Sequence, residues 1–196
     1  MDLNSRIIGH FEESAHLKLA AAELLAPAVS TAAEMIFTAL LDEKKVLVCG
    51  NGRSAALAQH FAANMLNRFD LERPGLATIA LSADNSTLTA IANDSEFAQI
   101  FSRQVSALGQ SGDVLLVMSG SGNSRNILNA ITAAHERGMQ VVAFSGGNGG
   151  NLVELLHHVD IHIGVPHENT PRIQEVFLLA LHCLCDSIDC LLLGVE

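Results

Sequence analysis

Ser119-Gly120-Ser121-Gly122-Asn123-Ser124 follows the apolar run Asp113-Val114-Leu115-Leu116-Val117-Met118. It precedes Asn126-Ile127-Leu128-Asn129-Ala130-Ile131, where apolar residues recur at helical spacing. A short run rich in Val and Leu that ends in small residues ahead of such a pattern reads as strand, turn, helix. Glycine lets the backbone fold tightly at the turn, and Ser or Asn side chains cap the helix that follows. Unpaired amides and the positive dipole end of that helix attract an anion. Three serines within the six residues add hydroxyl donors, so the expected guest is a phosphorylated ligand. The loop lacks the Lys-Ser/Thr ending of a nucleotide P-loop, and its glycines are not spaced as in a dinucleotide-binding turn. Hydroxyls in place of a lysine suit a monoester phosphate on a small sugar. The competing reading is a capped turn that holds only water.

Working outward, the chain repeats this grammar. Lys44 to Cys49 reads as a buried strand, Gly50-Asn51-Gly52-Arg53-Ser54 as a second strand-to-helix turn, and Ala55 to Phe69 as helix. Strands follow at Leu76 to Leu81, Gln140 to Ser145 and Val159 to Val165. Helices are expected over Glu96 to Leu108, Leu152 to His158 and Arg172 to Leu193, with a short helical run inside the polar stretch Ser82 to Ser95. Strands alternating with helices predict a five-stranded parallel sheet covered on both faces. Ligands of such sheets sit beyond the carboxyl ends of the strands at a switch in strand order, so the Asn51 and Ser119 loops predict one pocket. Leu3 to Leu41 is helical, with Pro27 expected to separate two helices. Its Ala and Leu content exceeds what covering a small sheet requires, which predicts packing against another subunit.

The 196 residues make a single domain, 1–196, with a helical part over 1–42 and an α/β core over 43–196. Hydrophobic residues are 49% with no Trp or Tyr, so the core is aliphatic with eight Phe. A formal charge of −10 argues against direct nucleic-acid binding, which needs a basic face. No signal peptide or membrane-length apolar run is read, which predicts no membrane partner and a cytoplasmic location. Cys49, Cys183, Cys185 and Cys190 show no zinc-type pairing and are expected to be buried reduced thiols.

The chain resembles the sugar isomerase (SIS) fold, and within it the phosphoheptose isomerase branch that includes the DnaA initiator-associating subgroup. The resemblance rests on Cys49 to Ser54, Ala58-Gln59-His60-Phe61, Asn67-Arg68-Phe69 with Glu72-Arg73-Pro74, Ala92-Asn93-Asp94, Ala107-Leu108-Gly109, Gly112 to Leu115, Ser119 to Ser124 and Arg172-Ile173-Gln174-Glu175. It implies a three-layer fold with N-terminal helices and a long C-terminal helix for oligomerisation, built into a homotetramer with pockets between subunits. It also implies that Asn51, Gly52, Ser54, Asp94, Ser119, Ser121, Ser124 and Gln174 contact a sugar phosphate. His60, Gln174 and His182 match a zinc site whose fourth ligand and general base is a glutamate in the isomerases. Here that position is Asn64.

An amide is no base at neutral pH, and the ligand set loses its anion. Glu175 is turned away by about 100° from its neighbour Gln174 on the helix. The expectation from these departures is a non-catalytic, DnaA-associating regulator of replication initiation, with DnaA as partner and no cofactor. The alternative is an isomerase converting sedoheptulose 7-phosphate to D-glycero-D-manno-heptose 7-phosphate, with His182 as its base and zinc as its metal. Arg53 stands where the isomerases have glycine and adds a cation that either grips the phosphate or crowds it. The remaining seven histidines show no ligand spacing and are expected on the surface.

Overall fold

The computed structural model describes residues 2–195. Five parallel strands form one sheet: β1 (Val46–Gly50), β2 (Thr78–Ala80), β3 (Val114–Ser119), β4 (Gln140–Gly146) and β5 (Ile161–Val165), in the order β2-β1-β3-β4-β5. Seven α-helices surround it: α1 (Leu3–Leu41), α2 (Arg53–Leu66), α3 (Asn85–Asp94), α4 (Ser102–Leu108), α5 (Arg125–Glu136), α6 (Gly150–Leu155) and α7 (Thr170–Leu193). The helix expected over 96–108 is split, with a single 3-10 turn at Phe97–Gln99 before α4.

Strand periodicity builds the two cores. Val46, Val48, Leu116, Met118 and Phe144 point to one side, where α1, α2 and α7 cover them. Leu47, Cys49, Leu115, Val117 and Ala143 point to the other, against residues of α4, α5 and α6. β1 and β3 are buried on both faces, which is why they read as unbroken apolar runs. The order of strands reverses between β1 and β3, and their register pairs Gly50 with Met118. The two small-residue loops therefore leave the sheet side by side.

Pro27 does not separate two helices: α1 runs unbroken for 39 residues with the proline inside it. An interior proline costs roughly 3 kcal/mol through its missing N–H and ring clash. A buried stripe of Ala21, Leu25, Val29, Ala32, Ala33 and Ile36 holds the helix together on both sides of that defect, packed on α7 and β5. Both α1 and α7 are long and apolar enough to cross a membrane, contrary to the expectation of no such run. In the fold their apolar faces pack against one another and against the sheet.

Two polar ties fix α7. Arg73, whose side chain is fully buried, donates to the Asp189 carboxylate and to the main-chain oxygens of Asn64 and Met65 at the end of α2, each at 2.9 Å. Arg172 bonds Glu175, His10 and Glu13, the last at 3.0 Å, which joins the start of α7 to α1. Cys49 and Cys185 are buried, and burial pushes the Cys185 thiol up to about 12. Cys183 is exposed instead, because two residues along a helix turn a side chain by about 200°.

Candidate functional site

The Ser119 loop is shaped by its neighbours. Gly122 has φ +66°, and a Cβ there would lie 1.7 Å from the Gly149 carbonyl oxygen, so no other residue fits. The Gly146 amide donates to the Gly120 oxygen and the Leu152 amide to the Gly122 oxygen, each at 3.0 Å. Asn123 accepts the Asn151 amide at 3.0 Å. The loop is thus bolted to the glycine-rich turn after β4.

Ser124 is the residue before α5, yet its hydroxyl does not cap that helix. It lies 3.4 Å from the Ser119 hydroxyl instead, which leaves the start of α5 without a side-chain cap. Gly52 opens α2 with positive φ and likewise supplies no cap. Two helix starts and four serine hydroxyls therefore converge on a cavity of about 270 Å³. Asn51, Arg53, Ser54, Met118, Ser119, Gly120, Ser121, Ser124, Thr170 and Gln174 line it. Asn51 is held by reciprocal amide bonds with Asn126 of 2.9 and 2.8 Å. Gln174 donates to the Ser54 hydroxyl at 3.0 Å, and its carbonyl oxygen is buried with no partner. A buried acceptor without a donor is a place for a ligand hydroxyl.

Asp94 does not join this pocket within its own chain. It ends α3 beyond the edge strand β2 and lines a separate cavity with Asp84, Arg103 and Gln104. Thr170 and Asn126 were not singled out in the sequence, although the start of a helix at Thr170-Pro171 marks the first as a loop-end residue.

The histidines meet on the same two helices. His60 Nε2 lies 2.8 Å from His182 Nε2, and Asn64, one turn after His60, offers its amide nitrogen to His60 Nε2 at 3.2 Å. Burial, and then the nearby His60, hold His182 below the usual histidine range. Glu175 does not face this pair: it accepts bonds from Arg172 and from Ser14, the latter at 2.5 Å. Gln174 stays with Ser54, two turns of α7 before His182. Among the described residues no third His, Cys, Asp or Glu stands close enough to form a metal-binding triad with His60 and His182. A zinc ion held by His60, Gln174 and His182 does not fit this donor set, which has no anion and places its amide elsewhere.

Two expected surface histidines are not free. His162 is half-buried, bonded to Ser145 Oγ at 2.7 Å and held below the usual range by burial. His135 bonds Asp160 at 2.7 Å.

The SIS domain model matches residues 10–146. A phosphoheptose isomerase of Azoarcus sp. (strain BH72) is 60% identical over 196 residues, covering all of both chains. The solved phosphoheptose isomerases of Neisseria gonorrhoeae and Francisella tularensis superpose with TM-scores of 0.91 and 0.93. Each is 46% identical over 96% of this chain and 99% of its own. These relatives overturn the expectation of a non-catalytic, initiator-associating regulator: likeness runs end to end with proteins named as isomerases. The chain belongs to the SIS-domain family, and within it to the phosphoheptose isomerases.

Proposed function

We propose that this protein isomerises sedoheptulose 7-phosphate, holding the phosphate in the Ser119 loop and moving protons at the His60–His182 pair. One observation carries the reading: cradle and imidazoles sit at two heights on the same two helices. Six residues of α2 separate Ser54 from His60, and eight of α7 separate Gln174 from His182. These spans are about 9 and 12 Å of helix, a length that an extended seven-carbon sugar phosphate bridges.

The chemistry then follows from the groups present. The serine hydroxyls and the uncapped helix starts favour the phosphate dianion, and the Arg53 guanidinium adds charge to that grip. The orphaned Gln174 oxygen accepts a sugar hydroxyl. His182, kept neutral by burial, takes the proton from C1 of the ketose, leaving an enediolate with its charge on O2. The same proton returns at C2 while the hydroxyl proton of O1 passes to O2, with His60 as the relay. No oxidant or reductant is consumed. The family's glutamate is absent, so the base is an imidazole rather than a carboxylate. The reading includes a cytoplasmic enzyme and a homotetramer in which Asp94, remote from the cradle of its own chain, serves a neighbour's pocket.

The test is turnover of sedoheptulose 7-phosphate by the purified full-length protein. His182→Asn is expected to lower kcat by a factor of about 10² to 10⁴, as for loss of a general base, with substrate affinity little changed. The acid limb of kcat/KM is expected below the ordinary histidine pKa of about 6.5, since His182 is shifted down. Tight substrate binding without any turnover would overturn the proposal.

A further inference from the structure

The end of the sheet opposite the serine loop carries a second cluster. Asp160, just before β5, has a side chain with no exposed surface. Its Oδ1 accepts the Val141 amide at 2.8 Å, and its Oδ2 accepts the His157 amide at 2.8 Å and faces His135 Nε2 at 2.7 Å. His135 lies in the last turn of α5 and is 14% exposed. Its ring stacks on that of exposed His157, with centroids 3.8 Å apart and planes 15° apart. One ligand atom from each of the three residues lies within 4.8 Å of the others.

We infer that His135, His157 and Asp160 form a binding site for one zinc-class divalent cation, which pins the turn at 157–160 to the end of α5. Two imidazoles and one carboxylate are a donor set that zinc takes when three ligands come from protein, the fourth position going to water. The carboxylate supplies the anion that the His60–His182 pair lacks. Two backbone amides already orient it, and such support fixes a ligand before the metal arrives.

Metal entry requires three small adjustments. Zinc–nitrogen bonds of about 2.0–2.1 Å set ligand atoms farther apart than the present 2.7 Å between His135 and Asp160, so this contact must widen. The ring proton of His135 moves from Nε2 to Nδ1, so that the neutral imidazole turns an Nε2 lone pair on the ion, which takes the proton's place beside the carboxylate. The His157 ring must tilt out of its stack to aim a lone pair at the ion, which its exposure permits. A purely structural role for Asp160 accounts for its amide bonds and for His135. It gives no reason for a second imidazole laid over the first. Sequence spacing carries no sign of the site, because α5, the turn and the strand meet only in the fold.

Zinc titrated into the full-length protein by calorimetry, with cobalt(II) as the spectroscopic probe, tests the site. One ion is expected to bind with micromolar affinity, and to raise the Tm. His157→Ala, an exposed change that keeps the fold, is expected to weaken binding by about tenfold or more and to remove the thermal shift. His60→Ala is expected to leave both unchanged. Binding by His157→Ala equal to that of the unmodified chain would overturn the assignment. So would loss of binding in His60→Ala alone, or no zinc uptake by the unmodified chain. None of these outcomes depends on isomerase turnover.

Discussion

Ser121 shows what a single residue contributes to the cradle. Its hydroxyl makes one contact of its own, from the Asn123 amide at 3.3 Å, and its side chain is open to the cavity. Hydrogen bonds to charged groups contribute about 1.5–3 kcal/mol, so Ser121→Ala is expected to raise the dissociation constant for the sugar phosphate by about tenfold or more. Its kcat at saturation should change little, the reverse of His182→Asn, and calorimetry with steady-state kinetics separates the two. Unchanged affinity would place the phosphate elsewhere. Gln174 adds a complementary check: Gln174→Glu puts a charge where a neutral acceptor now waits for a hydroxyl, and repulsion of the phosphate ester should weaken binding. Titration has a sign here as well. His162 and His182 are both depressed by burial. The unfolded chain therefore takes up protons before the native one as pH falls through about 6.5. Stability should be full above that pH and fall below it, read as a drop in the urea midpoint.

At the scale of elements, the Arg73–Asp189 pair matters because α2 carries His60 and α7 carries His182. Arg73 satisfies the last carbonyls of α2 and binds Asp189 two turns beyond His182, with both side chains at most 3% exposed. Removing one partner of a buried pair costs about 3–5 kcal/mol because the other charge is left alone. Asp189→Ala is expected to lose that much in denaturant unfolding, and replacing both residues by apolar ones should cost less. A surviving Asp189→Asn protein should show lower kcat through misaligned imidazoles. If its kinetics match those of the unmodified protein, the pair has only a structural role. The elements themselves were largely legible. Val114 to Met118 and Val46 to Cys49 are apolar runs that lead into glycine-bearing turns, and both became inner strands of the sheet. Pro27 misled because local propensity favours a break, whereas the buried stripe that overrides it belongs to tertiary packing. The pocket was legible where it depends on loops at strand ends. It was not legible at Asp94 or at the His135–His157–Asp160 cluster. Those placements depend on how elements turn relative to one another, and that leaves no periodic trace in a chain.

The whole molecule has more apolar surface than a lone chain needs. Leu3, Ile7, Ile8, Phe11, Leu19 and Leu24 stand exposed along α1. Beside them on the same helix, Ala21, Ala22, Leu25 and Val29 form a mostly apolar groove with Leu179 and Cys183 of α7. Small residues on facing helices let other helices approach closely, and contiguous apolar surface of this kind marks an interface. Continuity between the groove and the exposed face of α1 points to further copies of this chain as the occupants, in keeping with the proposed tetramer. The proposed tetramer would also have work to do, since Asp94 is remote from the cradle of its own chain and the His60 side chain is open on a single protomer. Light scattering is expected to give the mass of four chains at micromolar concentration. Leu179→Arg places a cation in the groove and should dissociate the assembly, because an unpaired charge in an apolar contact carries a heavy desolvation cost. Circular dichroism should show the protomer still folded, as Leu179 is 43% exposed and outside the core. Turnover should fall with dissociation. A folded monomer with full turnover would mean that each chain's pocket is complete by itself, and a monomeric unmodified protein would remove the tetramer altogether.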